Sequence, residues 1–213
     1  MLACIIVVVV AYLLGSIPTG FLAARAKGID IRAEGSGNIG ATNAMRVLGK
    51  PAGITVLLVD ALKGYAAVAW VCPVVMNSFG RPAAEVEALR IVAGIAAVLG
   101  HNFTCWLKFK GGKGIATSAG AYLALTPLAV GVAFAAFILA VLLTRYVSVG
   151  SIAAAVALAV TVWCLPGHNL FLGIVTTALA AMAIYKHKSN IKRLVAGTES
   201  RLGRKSEIQE TTK

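Results

Sequence analysis

An all-α integral membrane fold follows from three observations. Of 213 residues, 59 % are apolar before the 22 glycines are counted, against about 45 to 50 % for a soluble domain with glycine included. Charged residues make up 13 % of the chain and fall in short clusters between long apolar runs. No segment shows the two-residue alternation of a membrane β-barrel. Twenty Lys and Arg against eight Asp and Glu leave a net charge of +12, which calls for anionic lipid, phosphorylated substrate or nucleic acid nearby.

The first apolar run, 2–24, is interrupted only by Gly15, Ser16 and Pro18 and exceeds the roughly 20 residues needed to cross a bilayer. No basic residue precedes it, so it reads as a retained membrane helix rather than a signal peptide. Further runs cover 52–76, 88–99 (with its helix starting near Ala83), 115–143, 147–165 and 170–184. Pro127 divides the longest, because proline lacks an N–H and disfavours helix in the residue before it.

Charge decides whether that run crosses once or twice. Seventeen of the twenty basic residues lie in 25–50, 108–113, at Arg145 and in 186–213. A hairpin at Thr126-Pro127 places all of them on one side, which the positive-inside rule makes the cytoplasm. Its first arm, 115–125, is then only roughly 16 Å long at helical rise and packs inside the bundle. The expected architecture has seven transmembrane helices, the amino terminus outside and the carboxyl terminus cytoplasmic, with Gly-rich loops on the cytoplasmic face. Residues 1–203 form a single membrane domain and 204–213 a polar cytoplasmic tail. Cys4, Cys72, Cys105 and Cys164 show no metal-like spacing, and no metal or cofactor is expected.

Three polar segments could carry chemistry. The first is Gly35-Ser36-Gly37-Asn38-Ile39-Gly40-Ala41-Thr42-Asn43, followed by Arg46. Its glycines allow consecutive N–H groups to turn inward as an anion-binding nest. It contains GxGxxG, but no strand precedes it, and Ala41 stands where a Walker loop needs lysine. The second runs from Gly100-His101-Asn102 through Lys108-Phe109-Lys110-Gly111-Gly112-Lys113-Gly114 to Thr117. A lysine between glycines at the start of a helix puts a cation where free N–H groups also point. Lys108 and Lys110 read as topology anchors and Lys113 as a phosphate ligand. The third is Tyr185 to Asn190, continuing to Glu199. On a continuing helix His187 and Asn190 share a face, Lys188, Lys192 and Arg193 serve as headgroup anchors, and Glu199 either pairs with Arg201 or orients a substrate-binding cation. Asp60 and Lys63, three apart in an apolar run, face one another or the bundle interior; a structural ion pair and a substrate contact are both open.

Taken together and in this order, the three segments resemble the bacterial acyl-phosphate:glycerol-3-phosphate acyltransferase family over nearly the whole chain. The resemblance implies transfer of a fatty acyl group from acyl phosphate to the 1-hydroxyl of glycerol 3-phosphate, giving lysophosphatidic acid and phosphate for phospholipid biosynthesis. It implies a multi-pass protein of the bacterial inner membrane with its site on the cytoplasmic face. Ser36, Arg46, Lys113, His187 and Asn190 would surround glycerol 3-phosphate and the reacting carbonyl. Gly35, Gly37, Asn38, Gly40, Thr42, Asn43, Gly111, Gly112, Thr117 and Glu199 would contribute to substrate binding.

The His-x4-Asp pair of other glycerolipid acyltransferases is absent, because Trp106, Gly173 and Lys192 stand five residues after the three histidines. Either His187 or a substrate phosphate can then take the hydroxyl proton. The expected partners are acyl phosphate, glycerol 3-phosphate and membrane lipid, without nucleic acid. The rival reading is a phosphate or organophosphate transporter, and a lipid-interacting structural protein is third; one-sided motifs and the lack of an inverted repeat count against transport.

Overall fold

The structure is a computed structural model and describes residues 1–167 and 169–203. His168 and the expected tail, 204–213, lie outside the described residues. The described residues are helical wherever they are regular: α1 Leu2–Ser16, α2 Thr19–Arg25, α3 Ala41–Leu48, α4 Lys50–Ala66, α5 Cys72–Ser78, α6 Ala83–Asn102, α7 Ile115–Leu125, α8 Pro127–Thr144, α9 Val147–Cys164, α10 Leu170–Lys186 and α11 Lys188–Val195. Among the described residues four stretches are long and apolar enough to span a membrane, Leu2–Arg25, Lys50–Ser78, Pro127–Thr144 and Val147–Cys164, and the bent pair α10 and α11 makes up to five.

The expected break at Thr126-Pro127 is present. Thr126 leaves the helical region at φ −145° and ψ 78°, and Pro127 opens α8, where its missing N–H costs nothing. α6 starts at Ala83, as expected. The 52–76 run is less regular than a single α-helix, because Ala67–Val71 forms a π-helical turn. Pro73 cannot donate to the carbonyl one turn earlier, and a widened turn absorbs that mismatch.

Small residues set the helix crossings. A Cβ on Gly15 of α1 would strike the Ala97 backbone of α6, and one on Gly100 of α6 would strike the Tyr12 carbonyl. Gly64 of α4 and Gly120 of α7 meet in the same way, against the carbonyls of Thr117 and Ala61. Backbones that approach this closely gain dispersion contact, which helps to hold helices together in lipid, where water-driven burial between them is absent. The short α7 is thereby held against α4, while α8 turns Leu142 and Leu143 outward at 72 % and 76 % exposure. α3, the middle of α4, the starts of α7 and α9 and the end of α10 converge on one region.

Candidate active site

The loop before α3 is shaped by its own side chains. Gly35 and Gly37 take φ of 58° and 69°, a region that strains any residue with a Cβ. The Asn43 carboxamide accepts from Ser36 N at 2.8 Å and donates to the carbonyls of Ile31 and Glu34 at 3.3 and 3.0 Å. Asn38 Oδ1 caps Gly40 N at 2.9 Å. With its hydrogen bonds committed to the loop, Asn43 organises it, while Ser36, Thr42 and Arg46 present free groups.

The second loop is pinned to the end of α6. Gly111 N donates to the Asn102 carbonyl at 3.2 Å and Gly112 N to the His101 carbonyl at 3.0 Å. A Cβ on Gly112 would meet the His101 ring, so the glycines permit a close approach that aims Lys113. From α4, Lys63 Nζ reaches Asp60 Oδ1 at 2.7 Å and His101 Nδ1 at 2.9 Å. The expected Asp60 and Lys63 pairing is therefore present, and it extends to α6.

Lys113 Nζ donates to Asn190 Oδ1. Asn190 Nδ2 donates to Glu199 Oε1 at 2.6 Å, Ser148 Oγ to the same oxygen at 2.8 Å, and Arg193 Nε to Glu199 Oε2 at 2.7 Å. Glu199 thus links α9, α11 and the Lys113 loop. Two expectations need correction. Of the two roles open to Glu199, the pairing with Arg201 is not made: Glu199 pairs with Arg193, because the chain reverses at Gly197 with φ 69°, while Arg201 donates to the Tyr146 hydroxyl at 3.1 Å. The helix does not continue through His187. It bends by 52° there, so the shared face of His187 and Asn190 arises from a kink and not from helical spacing.

These elements enclose a cavity of about 150 Å³ lined by Ser36, Asn38, Gly40, Thr42, Asn43, Arg46, Lys113, His187, Asn190 and Glu199, with Asp60, His101, Ser148 and Ser151. A second cavity of about 210 Å³ is lined almost entirely by apolar groups of α7 to α10 and shares Leu57, Ile115, Ala116 and Phe137 with the first. Five expected substrate ligands do not line the polar cavity. Gly35, Gly37, Gly111 and Gly112 shape the loops, and Thr117 is fully buried on α7 against Gly64 of α4.

Sequence reasoning missed Ser148 and Ser151, whose signal was two serines three apart at the start of a largely apolar helix. It also misassigned Arg193, which holds Glu199 instead of serving as a headgroup anchor. Among the described residues no cluster of potential ligands could hold a metal ion.

Burial lowers the Arg46 guanidinium and pushes Lys113 down to about 8, with Arg193 and Arg46 adding to the shift and Glu199 opposing it. Burial, then the charge of Lys113, brings His187 down to about 4. Its Nδ1 lies 2.7 Å from the Ala183 carbonyl. That oxygen can only accept, so Nδ1 carries the proton and Nε2 keeps a lone pair. Burial raises Glu199, but hydrogen bonds from Asn190, Arg193 and Ser148 outweigh it and leave the carboxyl below its ordinary value. Glu199 therefore stabilises the fold above its unfolded-state pKa, and this contribution is lost as pH falls through the lowered folded value. Glu199→Ala is expected to cost about 1 to 3 kcal/mol by stranding the buried donors Ser148 and Asn190, read as a lower melting temperature in detergent, with the difference from the parent shrinking in acid.

The profile of the glycerol-3-phosphate acyltransferase family matches residues 5–197. Proteins named glycerol-3-phosphate acyltransferase from Trichlorobacter lovleyi and Geobacter sulfurreducens are each 49 % identical to this chain, over 90 % and 92 % of it and 93 % and 96 % of their own lengths. The crystal structure of PlsY (YgiH), an integral membrane glycerol 3-phosphate acyltransferase, superposes in its glycerol 3-phosphate form with a TM-score of 0.83 at 37 % identity, covering 94 % of this chain and 96 % of that one. Its lysophosphatidic acid form gives 0.80 at 36 % identity, covering 94 % and 95 %. The chain, a multi-pass membrane protein, belongs to the glycerol-3-phosphate acyltransferase family.

Proposed function

We propose that the protein transfers a fatty acyl group from acyl phosphate to the 1-hydroxyl of glycerol 3-phosphate, releasing phosphate and forming lysophosphatidic acid. The observation that carries this reading is the junction of a cation-lined polar cavity with an apolar one across Leu57, Ile115, Ala116 and Phe137. A phosphorylated acceptor fits the first and an acyl chain the second, which sets the reacting carbonyl between them. The relatives' names and the two ligand forms of PlsY support the acceptor and the product. The donor is inferred from the cavity's several unpaired polar groups, which can hold a second phosphate. A transport path would open through the bundle and is not favoured.

The architecture proposed with this function has residues 1–203 as one membrane domain. Its seven crossings are α1 with α2, α4 with α5, α6, α7, α8, α9 and α10, with the amino terminus outside and the site facing the cytoplasm of a bacterial inner membrane. Basic residues around the cavity, with Lys108, Lys110 and Lys186, support that orientation.

In the reaction the 1-hydroxyl oxygen bonds to the acyl carbon, the bond from that carbon to the phosphate oxygen breaks, and the hydroxyl proton passes to a base. Arg46 and Lys113 hold the phosphates, Ser36 and Thr42 add hydroxyl donors, and Asn190 and Glu199 fix the Lys113 ammonium. An acyl phosphate is an activated anhydride, so placement and charge stabilisation account for much of the acceleration. His187 Nε2 can accept the hydroxyl's hydrogen bond. As a base at about 4 it is weaker than a phosphate monoester dianion at about 6, which favours the substrate phosphate as proton acceptor.

Purified protein given palmitoyl phosphate and glycerol 3-phosphate should release phosphate and form lysophosphatidate. If neither product accumulates, or if vesicles take up substrate unchanged, the acyltransferase reading fails. A pH profile adds a second check. Lys113 loses its charge as pH rises through about 8 in the free protein, so kcat/KM for glycerol 3-phosphate should fall above that pH. In Lys113→Arg, whose guanidinium stays charged, that alkaline fall should vanish.

A further inference from the structure

Asp60 lies on α4 at 2 % exposure and still lines the polar cavity. Its neighbours converge on a single oxygen. Lys63 Nζ lies 2.7 Å from Oδ1, Thr19 Oγ1 donates to Oδ1 at 3.0 Å, and His101 Nδ1 stands 3.7 Å from it. Oδ2 receives none of these contacts and is not a fully buried atom left without a partner, so it is available as an acceptor beside the polar cavity that Asp60 lines.

A carboxylate oxygen in this position discriminates by chemistry. It repels phosphate, so the phosphates settle at Arg46 and Lys113, and it accepts hydrogen bonds only from donors. On a glycerol phosphate the donors are the two hydroxyls. Leu57, three residues before Asp60 on the same helix, lines both cavities, whereas Asp60 lines the polar one alone. The reacting primary hydroxyl belongs at the junction beside Leu57. The secondary hydroxyl, on the adjoining carbon, then lies well inside the roughly 5 to 6 Å that separates side chains three apart on a helix, on the side where Asp60 stands.

We propose that Asp60 Oδ2 accepts a hydrogen bond from the secondary hydroxyl of glycerol 3-phosphate and thereby selects the primary hydroxyl for acylation, with Lys63 and Thr19 holding the carboxylate in place. This rests on the acyltransferase reading, and lysophosphatidate formation by the parent protein serves as its control. Without product from glycerol 3-phosphate, that reading itself fails.

Given product, propane-1,3-diol monophosphate, which lacks only the secondary hydroxyl, is the probe. The parent protein should prefer glycerol 3-phosphate by about 10²-fold or more in kcat/KM, because a site built for a hydroxyl rejects the analogue without it. Equal use of the two overturns the proposal. Asp60→Leu combined with Lys63→Met removes both charges and strands neither, and the preference should fall to within about threefold. Asp60→Glu keeps a partner for Lys63 but displaces the oxygen by one methylene, and should also weaken the preference. A purely structural pair would slow both substrates alike, so an unchanged preference in either folded variant overturns the assignment.

Discussion

Lys113→Met is expected to lower kcat/KM for glycerol 3-phosphate by about 10²- to 10³-fold, the range found when one charge-stabilising donor is removed from a transition state. The ammonium is held in place from two sides. The glycine turn pinned to His101 and Asn102 carries its backbone, and Asn190 receives its hydrogen bond. Such fixed donors need no reorganisation as charge moves onto the departing phosphate. The same substitution should leave the melting temperature unchanged or raise it. Burial lowers Lys113 to about 8, below its unfolded-state value, so at pH 7 the folded protein bears the charge at a cost that Met relieves. A loss of activity together with a comparable loss of stability would mean that Lys113 holds the fold and not the substrate.

Much of the frame was legible in local chemistry. Pro127 ended one helix and opened another because the ring's constraints act within a residue of itself, and Asp60 met Lys63 because positions three apart share a helix face. Glycines at 35, 37, 111 and 112 marked the two loops, although they build the cavity without lining it. What could not be read depended on contacts distant in sequence. Ser148 reaches Glu199 from 51 residues away, and Lys63 meets His101 only after α4 and α6 pack together. Glu199 turns to Arg193 through the reversal at Gly197. Arg201, the nearer partner along the chain, is held by Tyr146 through a hydrogen bond and by the face of its ring at 5.4 Å. The His187 kink carries no proline or glycine to announce it.

Gly111→Ala should cost about 100-fold in kcat while the protein still folds and inserts. The new Cβ would collide with the His101 carbonyl, which is main chain and cannot rotate away as a side chain could. That same oxygen accepts from Gly112 N at 3.0 Å, and Gly111 N itself donates to Asn102 at 3.2 Å. Relief therefore requires lifting the turn away from α6, which displaces Lys113 two residues on. A shift of about 1 Å in a substrate-positioning group is enough for a loss of that size. Gly131→Ala is the control, since nothing lies within 4 Å of its Cβ and it sits inside α8, where alanine should add about 0.5 to 1 kcal/mol of stability. The measurement is kcat at saturating acyl phosphate and glycerol 3-phosphate, compared with the melting temperature of each variant. If Gly111→Ala keeps more than about a third of the parent kcat, Lys113 reaches its position independently of the glycine turn, and the close approach to His101 serves packing alone.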